Sequence, residues 1–275
     1  HARDLPWRAT DRTPWGVLVS EVMLQQTPVA RVESVWRDWL ERWPTPAHLA
    51  AEEPGTAIRA WGRLGYPRRA LRLHAAARSI VEHHDGRVPS SYDALRSLPG
   101  VGDYTAAAVA AFAFGRRHSV LDTNVRRVLA RAVTGCQYPP RSTTSAERRL
   151  AAELLPDDDT AAHWSVAVME LGALVCTARA PGCADCPIAD GCAWRLAGSP
   201  PFAGPHRRTQ AWSGTDREAR GRLMAVVRAA ADPVPESTLQ AAWDVPAQRG
   251  RALTGLIADG LLERLADASY RLPRG

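Results

Sequence analysis

Two carboxylates and four cysteines stand where they can do chemistry. Glu21 lies in Ser20-Glu21-Val22-Met23-Leu24-Gln25-Gln26-Thr27. Its neighbours Val19, Val22, Met23 and Leu24 are apolar. A solvated helix residue is the plain reading, but partial burial would raise its pKa and keep a proton on it near neutrality. A protonated acid can activate a leaving group. Asp122 lies in Leu121-Asp122-Thr123-Asn124, just before Val125-Arg126-Arg127-Val128-Leu129-Ala130-Arg131. An N-cap is the commonest role of Asp there. A carboxylate about 4 Å from a developing cation gains roughly 4 kcal/mol at an effective dielectric near 20, on the order of a thousandfold in rate. Together the two have the opposed protonation states that cleavage of a glycosidic bond requires.

Cys176, Cys183, Cys186 and Cys192 give C-x6-C-x2-C-x5-C, four thiols close enough in sequence to converge on one centre. A zinc knuckle usually joins two C-x2-C pairs, and only one such pair is present. Cys186 precedes Pro187, as in bacterial ferredoxin runs. A [4Fe–4S] cluster is the favoured occupant, with zinc the alternative. Arg179 and Arg195 flank the loop and can meet phosphates or remain solvated. Cys136 falls outside the pattern and is expected to be an ordinary buried thiol.

Between the two carboxylates runs Leu98-Pro99-Gly100-Val101-Gly102, a tight turn before the Ala-rich stretch Tyr104–Phe114. Two glycines permit close backbone approach, and N–H groups at the helix start suit a phosphate. Alone this is a helix-helix corner. Followed twenty residues later by a capped carboxylate and arginines, it suits a phosphate-bearing partner.

The composition agrees. The chain has 275 residues and a formal charge of +6, which fits an anionic partner. It contains no lysine, so all 35 basic residues are arginine and no side-chain amine can serve as nucleophile. No run is long and apolar enough to span a membrane. Five cysteines, four of them clustered, indicate a metal site in a reducing compartment. The loop-like opening HARDLPWR lacks Met, so a helix is expected to precede it.

The positioning elements read as helices over Pro14 to about Gln26, Pro28–Trp43, Pro46–Ala51, Thr56–Gly62, Arg68–His83, a Ser91-capped segment ending at Leu98, Ser145–Leu155 and Thr160–Cys176. Trp36, Trp39, Leu40 and Trp43 recur at helical spacing, as core. AGSPPFAGPHRRTQ, Ala197 to Gln210, reads as a linker. Helices over Asp216–Ala231, Glu236–Trp243 and Pro246–Gly260, with a hairpin of Leu261–Arg264 and Ser269–Leu272, suggest a winged-helix-like unit. The expectation is a mainly α, two-lobed chain. Residues 15–115 form a six-helix barrel domain with the hairpin; 1–14 and 116–196 form a cluster-binding domain. Residues 197–211 link these to the winged-helix-like unit, 212–275.

Trp7-Arg8, SEVMLQQT, Gly65-Tyr66, LPGVG, LDTNV and the cysteine spacing together resemble the MutY-type adenine DNA glycosylases of the helix-hairpin-helix, endonuclease III superfamily. The resemblance covers roughly residues 3 to 195. It implies a hydrolase of base excision repair that removes adenine opposite 8-oxoguanine or guanine in double-stranded DNA. It implies that Glu21 protonates adenine N7, that Asp122 stabilises the oxocarbenium ion, and that Tyr104 and Asn124 orient them. Arg3, Trp7, Arg8, Leu24 and Glu170 would line the adenine pocket. Gln26, Thr27, Leu64 and Tyr66 would meet the opposite base, with Tyr66 as the wedge, and Leu98, Gly100, Val101 and Gly102 would hold DNA. Bifunctional relatives carry lysine where Tyr104 stands, so a monofunctional enzyme follows. The cluster would serve structure and docking. A monomer in the bacterial cytoplasm, at the nucleoid, is expected.

Three departures qualify the resemblance. Thr123 replaces a usual Gly, Pro67 replaces a second aromatic, and the unit after Arg207 does not look like the family's Nudix-like domain. The basic run His206-Arg207-Arg208 therefore suggests a unit that adds affinity but little lesion preference. The rivals are a glycosylase for another base, such as thymine opposite guanine, and a non-catalytic DNA-binding protein.

Overall fold

The structure is a computed structural model and describes residues 3–204 and 212–275. In chain order its helices are α1 (Pro14–Leu24), α2 (Val29–Arg42), α3 (Pro46–Ala50), α4 (Pro54–Trp61), α5 (Arg68–His83), α6 (Tyr92–Ser97), α7 (Asp103–Phe114), α8 (Thr123–Ala132), α9 (Ser145–Glu153) and α10 (Ala161–Glu170). After these come α11 (Ala193–Leu196), α12 (Asp216–Ala229), α13 (Glu236–Ala242) and α14 (Pro246–Ala258), then the strands β1 (Glu263–Arg264) and β2 (Tyr270–Arg271). Most helix ends fall within two residues of the sequence expectation. Among the described residues no helix is long and apolar enough to cross a membrane.

The chain divides into two compact units. The first comprises His1–Glu21, Pro89–Ser97 and Val101–His206; the second comprises Val22–Val88, Leu98–Gly100 and Arg207–Gly275. The basic run His206-Arg207-Arg208 lies outside the described residues.

In the first unit α7 is buried on nearly every side. Its run of alanines permits close neighbours, and Gly115 stops it in the left-handed region at φ 64°. Ala108 and Ala111 pack with Val120, and Tyr104, Phe112 and Met169 close the cluster. A capping box starts α9: Thr144 Oγ1 accepts from the Glu147 N–H, and the Glu147 carboxylate accepts from the Thr144 N–H. The expected helix through Cys176 ends earlier. It runs to Glu170 and then widens into a π-helical turn, Leu171–Val175.

In the second unit α2 buries Val32, Trp36 and Trp39 along one stripe. The Trp39 ring meets those of Trp43 and Trp61 edge-on, at centroid distances of 4.8 and 5.5 Å. The chain's last segment in this unit has three helices and a hairpin in the register Glu263↔Arg271 and Arg264↔Tyr270. An isolated bridge from Val234 to Tyr270, which the sequence did not announce, lies beside this two-stranded sheet. This segment is tied to α4: Gly55 N–H donates to Pro273 O at 2.8 Å, and Arg59 donates to Ala230 O at 2.8 Å. A side chain at Gly55 would lie 2.6 Å from Pro273 O, so glycine is needed for that approach.

Candidate active site and thiol loop

α1 is apolar and buried from Trp15 to Met23, and it carries Glu21 inward. Thr13 Oγ1 accepts from the Gly16 N–H at 3.0 Å at its start. Glu21 is only 6 % exposed. Burial pushes its carboxyl up to about 7, against the opposing pull of a hydrogen bond with Tyr104 and the nearby Arg8 charge. Its Oε2 is buried, so one carboxyl oxygen of Glu21 is left without a partner in the protein. Tyr104 stands in the first turn of α7. Burial, followed by the charges of Glu21 and Asp122, raises its hydroxyl well above the ordinary value, so it remains a neutral donor.

Asp122 is both an N-cap and a candidate catalyst. Its Oδ1 accepts from the Asn124 and Val125 N–H groups at 2.9 and 2.6 Å, and its Oδ2 from Asn124 Nδ2 at 2.7 Å. Burial raises its pKa on balance, against the pull of these three donors, which favour the charged form. Arg127 lies behind. It donates to Asn124 Oδ1 at 2.8 Å, Gly172 O at 2.6 Å and Cys176 O at 2.8 Å. Gly172 sits in the π-helical turn, where a Cβ would lie 2.7 Å from the Asn124 Cβ. The turn and the glycine together let the thiol-bearing segment approach α8.

Glu170 ends α10 and gathers the N-terminal arginines. Arg3 engages it bidentately at 2.8 and 2.6 Å, and Arg8 bonds the same carboxylate at 2.8 Å. Burial pushes Glu170 up, but Arg3 and Arg8 outweigh it and hold the carboxyl below its ordinary value. Arg8 thereby links this cluster to Glu21. Trp7, in a 3-10 turn, is buried at 4 % exposure.

Cys176, Cys183, Cys186 and Cys192 line one cavity with Arg131, Trp194 and Ile188. Burial raises the Cys186 thiol, and the other three thiols add to the effect. Arg131, 1 % exposed, braces the loop by donating to Thr177 O, Ala178 O and Cys176 Sγ at 2.8, 3.1 and 3.3 Å. Cys136 corrects the sequence expectation: it is exposed, because it lies in the turn after α8, where its N–H returns to Ala130 O. Arg179 and Arg195 are exposed, and Arg195 faces Asp190 at 3.6 Å.

The second unit gathers a different set. Leu24 ends α1. Gln26 and Tyr66 are held in the left-handed region at φ 57° and 49°, a conformation non-glycine residues rarely adopt. Arg69 underlies both turns. Its guanidinium donates to the carbonyls of Val22, Met23 and Gln25, to Thr27 Oγ1 at 2.9 Å and to Gly65 O at 3.0 Å. Leu64 is buried, while Tyr66 is 46 % exposed. In the hairpin turn Leu98 and Val101 are buried. Gly100 has φ 78° and a Cβ there would meet the Arg72 Cβ at 2.5 Å, whereas Gly102 faces open space. The structure thus collects Glu21, Tyr104, Asp122, Asn124, Arg3, Trp7, Arg8 and Glu170 in the first unit, and Leu24, Gln26, Thr27, Leu64 and Tyr66 in the second.

Sequence reasoning missed Arg69, Arg127 and Arg131 as organising residues. The available signal was charge on a buried helix face: Arg127 and Arg131 are four apart on α8, flanking Val128.

A helical hairpin that leads to a carboxylate-capped helix is the architecture of the helix-hairpin-helix DNA glycosylases. Residues 19–156 match the family described as HhH-GPD superfamily base excision DNA repair protein, and the chain belongs to it. It is 53 % identical over 272 residues to an adenine DNA glycosylase of Mycobacterium tuberculosis, covering 98 % of this chain and 89 % of that one. It is 41 % identical to the adenine DNA glycosylase of Homo sapiens, over 69 % of this chain and 36 % of the human one. A thymine/uracil-DNA glycosylase of Pyrobaculum aerophilum is 37 % identical, over 68 % of this chain and 83 % of its own. Among solved structures, a thermostable thymine-DNA glycosylase superposes with a TM-score of 0.65 at 29 % identity, covering 71 % of this chain and 89 % of that one.

Proposed function

We propose that this chain is a monofunctional DNA glycosylase that removes adenine paired with 8-oxoguanine or guanine in duplex DNA. The observation that carries this reading is Glu21: a buried carboxyl with a pKa about 7 and a free Oε2, in the same electrostatic cluster as Asp122. Adenine is a poor leaving group unless its ring is protonated. Glu21 gives its proton to N7, the C1′–N9 bond breaks, and its electron pair passes to the base. Asp122 stabilises the sugar cation, held by Asn124 and the α8 N–H groups. Water adds to C1′, and its released proton returns the site to its starting state. With no lysine in the chain, no side-chain Schiff base forms and the strand is left intact.

Further assignments follow from this reading. Arg3, Trp7, Arg8, Leu24 and Glu170 shape the adenine pocket. Gln26, Thr27, Leu64 and the wedge Tyr66 meet the opposite base, and Leu98, Gly100, Val101 and Gly102 hold a phosphate. Flipping the adenine costs a few kcal/mol, offset by arginine contacts to phosphate. Cys176, Cys183, Cys186 and Cys192 would hold a [4Fe–4S] cluster, which would supply structure to the loop. The observation that supports it is that the four thiols line one cavity. The protein acts as a monomer on DNA in the bacterial cytoplasm.

The thymine/uracil relative marks the competing substrate. Single-turnover incubation with duplexes carrying A or T opposite 8-oxoguanine or guanine, followed by alkali, decides between them. Breakage at A only supports the proposal; breakage at T only overturns it.

A further inference from the structure

A ladder of rings and guanidiniums runs through the second unit. The Arg69 Cζ lies 5.2 Å from the centre of the Trp61 ring and 5.5 Å from that of Tyr66. The Arg217 Cζ lies 5.4 Å from the same Tyr66 ring and 5.3 Å from the ring of Trp212. Arg217 Nη2 also donates to the Tyr66 hydroxyl at 2.9 Å. The ladder begins at Trp61, which is wholly buried, and ends at Trp212, which is 50 % exposed. Its inner rung, Arg69, is anchored to backbone carbonyls. Its outer rungs come from the first turn of α12 and the residues before it, in the C-terminal segment, 151 positions from Tyr66.

A tyrosine that enters a base stack must keep its ring plane while the duplex resists. Tyr66 is exposed, and its ring is held between the guanidiniums of Arg69 and Arg217. Arg217 grips it twice, by the ring and by the hydroxyl. A planar guanidinium that stacks on aromatic rings is suited to this, and an ammonium is not. Trp212 then offers a further exposed face of the kind on which nucleic-acid bases stack.

We propose that Arg217 is a positioning residue for the wedge: it presets Tyr66, and with Trp212 it carries the stacking surface from the catalytic barrel into the C-terminal segment. This segment thereby takes part in base extrusion and does more than add charge. The inference rests on the role of Tyr66 in the proposed function.

The test is a double-mutant cycle in the full-length protein, read as single-turnover adenine excision from an A:8-oxoguanine duplex. Arg217→Ala should slow excision about fivefold, the scale of one exposed cation–π contact with its hydrogen bond. In a Tyr66→Ala background the same change should cost less than about twofold, because its effect passes through the ring. Arg217→Lys, which keeps the charge, should not restore the rate. An equal loss in both backgrounds, rescue by lysine, or no loss at all would each overturn the inference; the first two mark an ordinary phosphate contact. Thermal melting of each variant separates these results from misfolding, and both exposed side chains can be removed without opening the core. Adenine excision by the unmodified protein checks the parent reading separately, so a failed cycle in an active enzyme refutes only this inference.

Discussion

Asn124 donates its amide N–H to Asp122 Oδ2 at 2.7 Å while its own Oδ1 accepts from Arg127 at 2.8 Å. Arginine can only donate, so Arg127 fixes which end of the amide faces the carboxylate. Asn124→Ala should therefore lose a donor that holds Asp122 charged. Its pKa should rise further, and excision should fall about tenfold to a hundredfold, the scale of one charge-assisted hydrogen bond. Duplex binding, measured by fluorescence anisotropy, should hold.

Asp122→Asn should be more severe. It removes the charge opposite the developing cation and leaves the cap in place, because an asparagine oxygen still accepts from Asn124 and Val125. Excision should fall by on the order of a thousandfold, and the melting temperature should fall by a few degrees because the new amide nitrogen faces the Asn124 N–H donor. Near-normal excision by this variant would refute the role of Asp122.

Arg127 joins the π-helical turn and the thiol segment to α8 through two acceptors, Gly172 O and Cys176 O. Arg127→Ala strands the buried Gly172 carbonyl and leaves Cys176 O only its longer bond from Arg131, and should cost about 2 kcal/mol of stability. Gly172→Ala should reach the same site from the other side, because its Cβ has no room beside Asn124. Both variants should excise slowly in single turnover, even where melting curves show them folded at the assay temperature. Full activity in either would show that the approach of these segments is not required.

The four thiols predict a colour. Protein purified anaerobically should be brown and carry about four irons per chain, and loss of the metal should lower the melting temperature of the first unit. One zinc per colourless, fully active chain is the contrary result.

Much of this was legible in the sequence, for identifiable reasons. Glu21, Asp122 and the cysteines announced themselves by residue type and spacing, and the helices by apolar period and by proline and glycine at their ends. Long-range partners were not legible. Among 35 arginines, only the four-residue spacing of Arg127 and Arg131 around Val128 was a local signal; nothing local separates Arg69 from surface charge, because its acceptors come from other segments. Arg217 was hidden because its partner Tyr66 lies 151 positions away. The π-helical turn sits where Gly172 approaches Asn124, and the Val234–Tyr270 bridge is a single pair, so neither has a periodic signal. Cys136 misled because a lone cysteine reads as core, while the turn it occupies points it outward.

Burial of Glu21 also makes stability depend on pH. Its folded pKa, about 7, lies above the ordinary 4.5. Below 4.5 both states hold the proton and nothing is lost. As pH rises to 7 the unfolded chain gives up its proton while the fold retains it, at a cost approaching about 3 kcal/mol. Glu21→Gln should therefore melt higher than the parent at pH 8 by several degrees, with the gap closing toward pH 5. Parallel melting curves would show that Glu21 is not held protonated by the fold.

The central claim is that Glu21 delivers a proton to adenine, and the pH dependence of single-turnover excision from an A:8-oxoguanine duplex tests it most directly. Excision should fall tenfold per pH unit above about 7 and fall again at low pH as the raised Asp122 carboxyl takes up a proton, and Glu21→Gln should be nearly inactive throughout. A profile flat from pH 6 to 9, or a Gln variant that retains the parent rate, would contradict the account.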